Sequence, residues 1–208
     1  MEVDPAAEPV AVYDEAGAVV GVASRGEVYA RSLWHGVGGV LLRSGDGTSV
    51  YVHRRSATKL VMPGLHDCWA GGVIGPGEDP AGTAARELAE ELGVTGAPLD
   101  PLFTLVYDEG PGGLRSHLFA FEARHDGPVR HQPEEVADGG GMPLPELRAR
   151  LADPAWPFVP DGRLLVERWF AEQGAAVSPA ADAAASRPAR RRPPARSAPP
   201  TGVPPASR

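Results

Sequence analysis

Three glutamates, Glu87, Glu90 and Glu91, stand at i, i+3 and i+4 within a stretch of helical periodicity. That spacing puts three carboxylates on one helical face. Like charges so placed repel by about 0.2–0.5 kcal/mol per pair. A hard cation between them would offset that cost. Oxygen donors without His or Cys suit Mg²⁺, with Mn²⁺ as the alternative. Ala84, Ala85, Leu88 and Leu92 are expected to make the other face apolar, anchoring the helix with its acids turned toward a cleft. The glycine-rich run ahead of the helix lets backbone approach the acids and can lend a carbonyl to a metal.

Taken alone, the glutamates would fit a solvated amphipathic helix. The whole pattern decides otherwise. It reads Gly72-x5-Glu78-x7-Arg86-Glu87-Leu88-x-Glu90-Glu91-x-Gly93-Val94. This resembles the Nudix box and matches it at every specified position. The resemblance implies that Glu87, Glu90 and Glu91 coordinate divalent metal or, for one of them, act as base. It implies that Arg86 orients the glutamates, that Glu78 pairs with or neighbours Arg86, and that Gly72 supplies a backbone carbonyl. It further implies an α/β fold, the Nudix α/β/α sandwich with a mixed sheet, and cleavage by water of a diphosphate joined to another moiety. Bound cations would neutralise phosphate oxygens and acidify the water.

The flanks add to this. Ser24-Arg-Gly-Glu, Leu33-Trp34-His35, Arg55-Ser-Ala-Thr-Lys59 and Pro63-Gly64 resemble the isopentenyl-diphosphate isomerase branch of the superfamily. By that resemblance Arg55 and Lys59 contact the substrate diphosphate. The isomerase's catalytic Cys-x-His is missing, and Gly71-Gly72-Val73 stand there instead. Cys68 lies about three residues early, roughly 10 Å away along a strand. The segment 112–117 also lacks the isomerase's glutamates. His35 has no partner ligands and reads as structural. A hydrolase with isomerase-like flanks over about residues 8–172 fits best. The alternatives are an isomerase-like enzyme and a non-catalytic Nudix ligand sensor. Glu134 and Glu135 occupy the region where many Nudix enzymes place a further catalytic carboxylate. The aromatic usual soon after is replaced by Gly139-Gly140-Gly141.

Strands and helices must hold these residues in place. Segments 10–13 and 18–22 predict a hairpin, and Ser24 with Glu27 a capping box opening a helix to about 33. Segments 36–43 and 49–54 predict a second hairpin turning at Gly45-Asp46-Gly47. A short strand follows at 68–74, then a helix over 80–92 closed by Gly93. Strands are expected at 102–108 and 114–123, with a weaker one near 135–142. Helices follow at about 145–151 and 160–173. Antiparallel pairs mixed with helices point away from a doubly wound parallel sheet.

Composition sets the outer limits. The 208 residues are 42% apolar and 23% charged, enough for one globular domain with an appendage. No apolar run is long enough to span a membrane, and MEVDPAAEPV lacks the features of a secretory signal. A single cysteine fits a reducing cytoplasm. Residues 174–208 carry six arginines and one acid; removing these from 20 basic and 27 acidic side chains leaves 14 and 26 for residues 1–173. So acidic a body disfavours nucleic acid, and a polyanionic substrate would need something cationic to mediate, a divalent metal being the obvious candidate. The tail, 174–208, has eight prolines, eleven alanines and no aromatic residue, and is expected to be disordered beside a Nudix domain at 1–173.

Overall fold

A computed structural model describes residues 4–185, with side chains described through 174. The chain divides into two units, Met1–Ala171 and Glu172–Arg208. The first holds β1 (Pro9–Tyr13), β2 (Val19–Ser24), α1 (Arg25–Ala30), β3 (His35–Arg43), β4 (Ser49–Arg55), β5 (His66–Asp67), β6 (Trp69–Val73), α2 (Pro80–Leu92), β7 (Asp100–Asp108), β8 (Arg115–Arg124), β9 (Val136–Pro143) and α3 (Leu144–Leu151), together with the start of α4 (Pro160–Ala185).

Strand β3 is the hub. It pairs antiparallel with β6 from Val37↔Val73 to Leu41↔Trp69, and parallel with β8 from His35↔Ser116 to Arg43↔Arg124. Alternation along β3 feeds two cores. Val40 and Leu42 meet Ala84, Leu88 and Leu92 of α2. Leu41 meets Leu147 of α3 and Val166 and Trp169 of α4. The result is an α/β/α sandwich on a mixed sheet.

The expected second hairpin is only partly formed. Its turn closes through the Gly47 N–H to the Ser44 carbonyl, yet β3 and β4 pair as strands only at Arg43↔Val50. They then part, and β4 pairs instead with β9 and β5. Alternation reports which face a residue occupies, not which strand lies beside it. The expected strand at 68–74 is observed as β6 from Trp69 to Val73, separated from β5 at Cys68, where the Asp67 carboxylate accepts the N–H groups of Cys68 and Trp69. The three glycines do not prevent β9, which lies against β4 with Val52↔Gly140.

Helix α1 is shorter than predicted. Ser24 Oγ accepts the Glu27 N–H as expected, but the Glu27 carboxylate turns to Arg31 at 2.5 Å rather than back to the cap. Helix α4 continues to Ala185, past the composition break at Gly174, where alanine-rich sequence favours helix. Residues 186–208 lie outside the described residues. The last core members on α4 are Trp169 and Phe170. A chain ending at Gln173 is therefore expected to unfold cooperatively, with a Tm within about 4 °C of full length. Loss of cooperative unfolding would show that the removed residues complete the core.

Candidate active site

The centre of the site is α2. Asp79 caps it by accepting the N–H groups of Ala81 and Gly82, Pro80 opens it, and Gly93 closes it at φ 68°. Its buried stripe is Thr83, Ala84, Glu87, Leu88, Glu91 and Leu92. This corrects the expected division of faces. Ala85 is exposed, and two glutamates share the buried stripe with the leucines, at the i, i+4 spacing a core helix would fill with apolar residues. Glu87 and Glu91 are 9% and 2% exposed, whereas the Glu90 side chain is 51% exposed on the flank.

The sheet makes room for these acids. Helix α2 lies across β6 and β3. A Cβ on Gly72 would stand 2.3 Å from Glu87 Oε1, so a larger residue there would push the carboxylate from its present place. One residue earlier, the Gly71 N–H donates to Glu91 Oε2 at 3.2 Å.

Arg86 gathers the remaining acids. Its Nη1 bonds Glu87 Oε1 at 2.7 Å and Glu90 Oε2 at 3.2 Å. Its Nε and Nη2 take both oxygens of Glu78, at 3.2 and 3.1 Å. Glu78 also accepts the Gly75 N–H and the Thr83 hydroxyl, pinning the glycine loop to the helix. The Arg86 bonds hold the Glu78 carboxyl below its usual range. Burial pushes Glu87 up to about 7, with the Glu91 charge adding to the shift and Arg86 opposing it. Burial also raises Glu91, against the pull of Lys59.

Lys59 arrives from the loop after β4. Ser56 donates its N–H to the Glu135 carbonyl, Thr58 its hydroxyl to the Glu134 carbonyl, and Lys59 its N–H to the Ser56 carbonyl. That turn delivers Lys59 Nζ to Glu91 Oε1 at 3.1 Å and to the Glu135 carboxylate. Of the two acids singled out by sequence, Glu135 reaches the cluster. Glu134 is exposed and contributes its backbone carbonyl. Arg55 bonds the carbonyls of Val61 and Met62 at 3.0 and 3.2 Å, and lies 4.0 Å from Asp67. It braces the loop that carries Lys59. His35 is buried against the Leu33 carbonyl and Tyr29, and Cys68 is 1% exposed within the core.

Among the described residues, no three carboxylate, imidazole or thiolate groups already converge as a metal cage. Arg86 and Lys59 between them hold Glu78, Glu87, Glu90, Glu91 and Glu135. The donor set fits a hard divalent cation all the same. It is all oxygen, its acids outnumber the two bonded cations, and burial raises its two inner members, Glu87 and Glu91.

Asp67 and Asp161 escaped the sequence reading, because neither lies in a motif. An Asp directly before the buried run 68–70 was the only available signal. A Cβ on Gly162 would stand 2.6 Å from Asp67 Oδ1, so α4 closes over this carboxyl. Burial pushes Asp67 up from 3.8 to about 7, with Arg55 opposing and Asp161 adding. A folded pKa above the unfolded one means the folded chain keeps a proton that the unfolded chain has released. Asp67 therefore loses stability for the fold as pH rises from about 4 to 7. Asp67→Asn keeps an acceptor for the Cys68 and Trp69 N–H groups. Its Tm is expected to match wild type near pH 4 and exceed it increasingly toward pH 8. Parallel Tm curves would refute the assignment.

Comparison with known proteins places this geometry. The family profile for the NUDIX domain matches residues 10–162. An uncharacterized Nudix hydrolase, orf19 of Rhodococcus erythropolis, is 51% identical over 174 residues, covering 79% of this chain and 93% of that protein. An uncharacterized Nudix hydrolase of Streptomyces coelicolor, SCO1686, is 46% identical over 167 residues, covering 79% and 90%. The crystal structure of DR0079 from Deinococcus radiodurans superposes with a TM-score of 0.66 at 26% identity, covering 77% of this chain and 98% of that one.

Proposed function

The chain belongs to the Nudix hydrolase family, and from that premise we propose that it is a Mg²⁺-dependent enzyme, able to use Mn²⁺, that cleaves small organic diphosphates, nucleoside diphosphate derivatives among them, with water in the cytoplasm. The observation that carries this reading is the pair Glu87 and Glu91 inside the buried stripe of α2. Desolvating two carboxylates costs stability, and metal binding would offset that cost.

Glu87, Glu91 and the Gly72 carbonyl would hold the cations, with Glu90 joining from the exposed flank. Bound cations supply charge neutralisation at the phosphate oxygens and a more acidic water. Glu135, on a loop beside Glu91 and bridged to it by Lys59, adds a further carboxylate from outside the helix to this cation site. Arg86 positions Glu87 and Glu90 while Glu78 steadies Arg86. Lys59 binds the diphosphate, and Arg55 holds its loop. No helix among the described residues is long and apolar enough to cross a membrane. The isomerase reading is not favoured, since the only thiol lies in the core and burial pushes its pKa well up.

The experiment is incubation of the full chain with a panel of nucleoside diphosphate derivatives and isopentenyl diphosphate in ¹⁸O-water with Mg²⁺, read by mass spectrometry. The expected result is a phosphate product carrying one ¹⁸O. Isomerised, unlabelled isopentenyl diphosphate would overturn the proposal. Lys59→Ala, assayed at saturating Mg²⁺, is expected to raise KM more than it lowers kcat, the mark of a ground-state contact. Arg55→Ala should do the same more weakly. Unchanged kinetics in both would return these cations to a structural role.

A further inference from the structure

Lys59 is the single lysine of the chain, and its ammonium lies where two acids from different segments meet. Nζ is 3.1 Å from Glu91 Oε1 and is bonded to Glu135 as well. Its side chain is 14% exposed and that of Glu91 2%, so the contact is shielded from water and salt. An ammonium is a compact point charge on a flexible four-carbon stem. Here it neutralises carboxylate oxygens of the kind a hard metal seeks. The backbone beneath is fixed independently. The turn at 56–59 is bonded to the carbonyls of Glu134 and Glu135, and Arg55 holds the carbonyls beyond it. The stem can therefore swing without the loop having to refold.

We infer that Lys59 is the resident counter-ion of the Glu91–Glu135 pair, that a divalent cation takes these carboxylates in exchange for it, and that the released ammonium turns to the substrate's phosphate oxygens. This rests on the metal-dependent reading above. No proton or electron moves in the exchange; the two Lys59 ion pairs open as carboxylate–cation contacts form. Metal and diphosphate binding are then positively coupled through one side chain, because each favours the state in which Lys59 has left the acids.

The test uses the full chain without substrate, at pH 8, with MnCl₂ as probe and paramagnetic resonance of free Mn²⁺ as readout. Lys59→Gln, checked for folding by circular dichroism, is expected to bind Mn²⁺ several-fold more tightly than wild type, about fivefold where the two competing ion pairs together are worth about 1 kcal/mol. A second arm needs no variant. Reductive ¹³C-methylation keeps the charge and labels Lys59 together with the terminal amine. The Lys59 signal is expected to shift with MgCl₂ and not with NaCl of equal ionic strength. If wild type binds Mn²⁺ but folded Lys59→Gln binds it equally or more weakly, or if the Lys59 signal stays still, the exchange is refuted while the hydrolase reading stands. If neither protein binds Mn²⁺ at millimolar concentrations, the metal-dependent reading fails and takes the exchange with it.

Discussion

Glu91→Gln is expected to lower kcat at least about a hundredfold, a loss of about 2.7 kcal/mol of transition-state stabilisation, while leaving the fold intact. Gln keeps an acceptor for the Gly71 N–H, but it removes the acceptor of Lys59 and a negative charge from a site 2% exposed. Lys59 retains Glu135, so its charge is not stranded. Metal-free stability should therefore hold or rise slightly, since one buried carboxylate no longer has to be desolvated. The same change at half-exposed Glu90 should also cost turnover, with almost no effect on stability. A purely structural helix predicts near-normal kcat in both variants. Kinetics at saturating Mg²⁺ alongside thermal melts in chelator separate the two outcomes.

Gly72→Ala is expected to damage the site through a single methyl group. The new Cβ would stand 2.3 Å from Glu87 Oε1 and 2.5 Å from its Cδ, so the carboxylate must leave its place beside β6. The clash is confined to the flexible end of Glu87, which can swing aside, so stability should change little, but kcat should fall at least about tenfold because the carboxylate is displaced. Gly140→Ala is the control, since nothing lies within 4 Å of its Cβ, and it should be near wild type on both measures. Glu87 and Gly72 share one space, so the Gly72→Ala, Glu87→Gln double variant should lose less than the sum of the two singles. Wild-type activity in Gly72→Ala would mean that the position of Glu87 does not matter.

Much of this was legible beforehand, and what was missed has physical causes. The bounds of α2 follow from Asp79, Pro80 and Gly93, whose capping chemistry is local. The pairing of Glu78 with Arg86 also follows from the motif. Which face of α2 is buried does not, because glutamates count as polar in any periodicity argument. Only tertiary packing beside Gly72 shows that Glu87 and Glu91 go inside. Strand partners were missed for a similar reason. The run at 36–43 and that at 49–54 alternate like a hairpin, but β3 needs neighbours on both edges, and β6 and β8 supply them from distant sequence. Lys59 was marked as a cation for phosphate. Its bonds to Glu91 and Glu135 depend on a loop meeting segments 32 and 76 residues away, beyond the reach of local spacing.

The most direct test of the central claim is phosphate release from the diphosphate panel by the full chain, run in Mg²⁺ and in EDTA beside Glu91→Gln. The account predicts release by wild type in Mg²⁺, none above background in EDTA, and at least about a hundredfold less from Glu91→Gln in Mg²⁺. Equal release in EDTA, or equal release by Glu91→Gln, would contradict it.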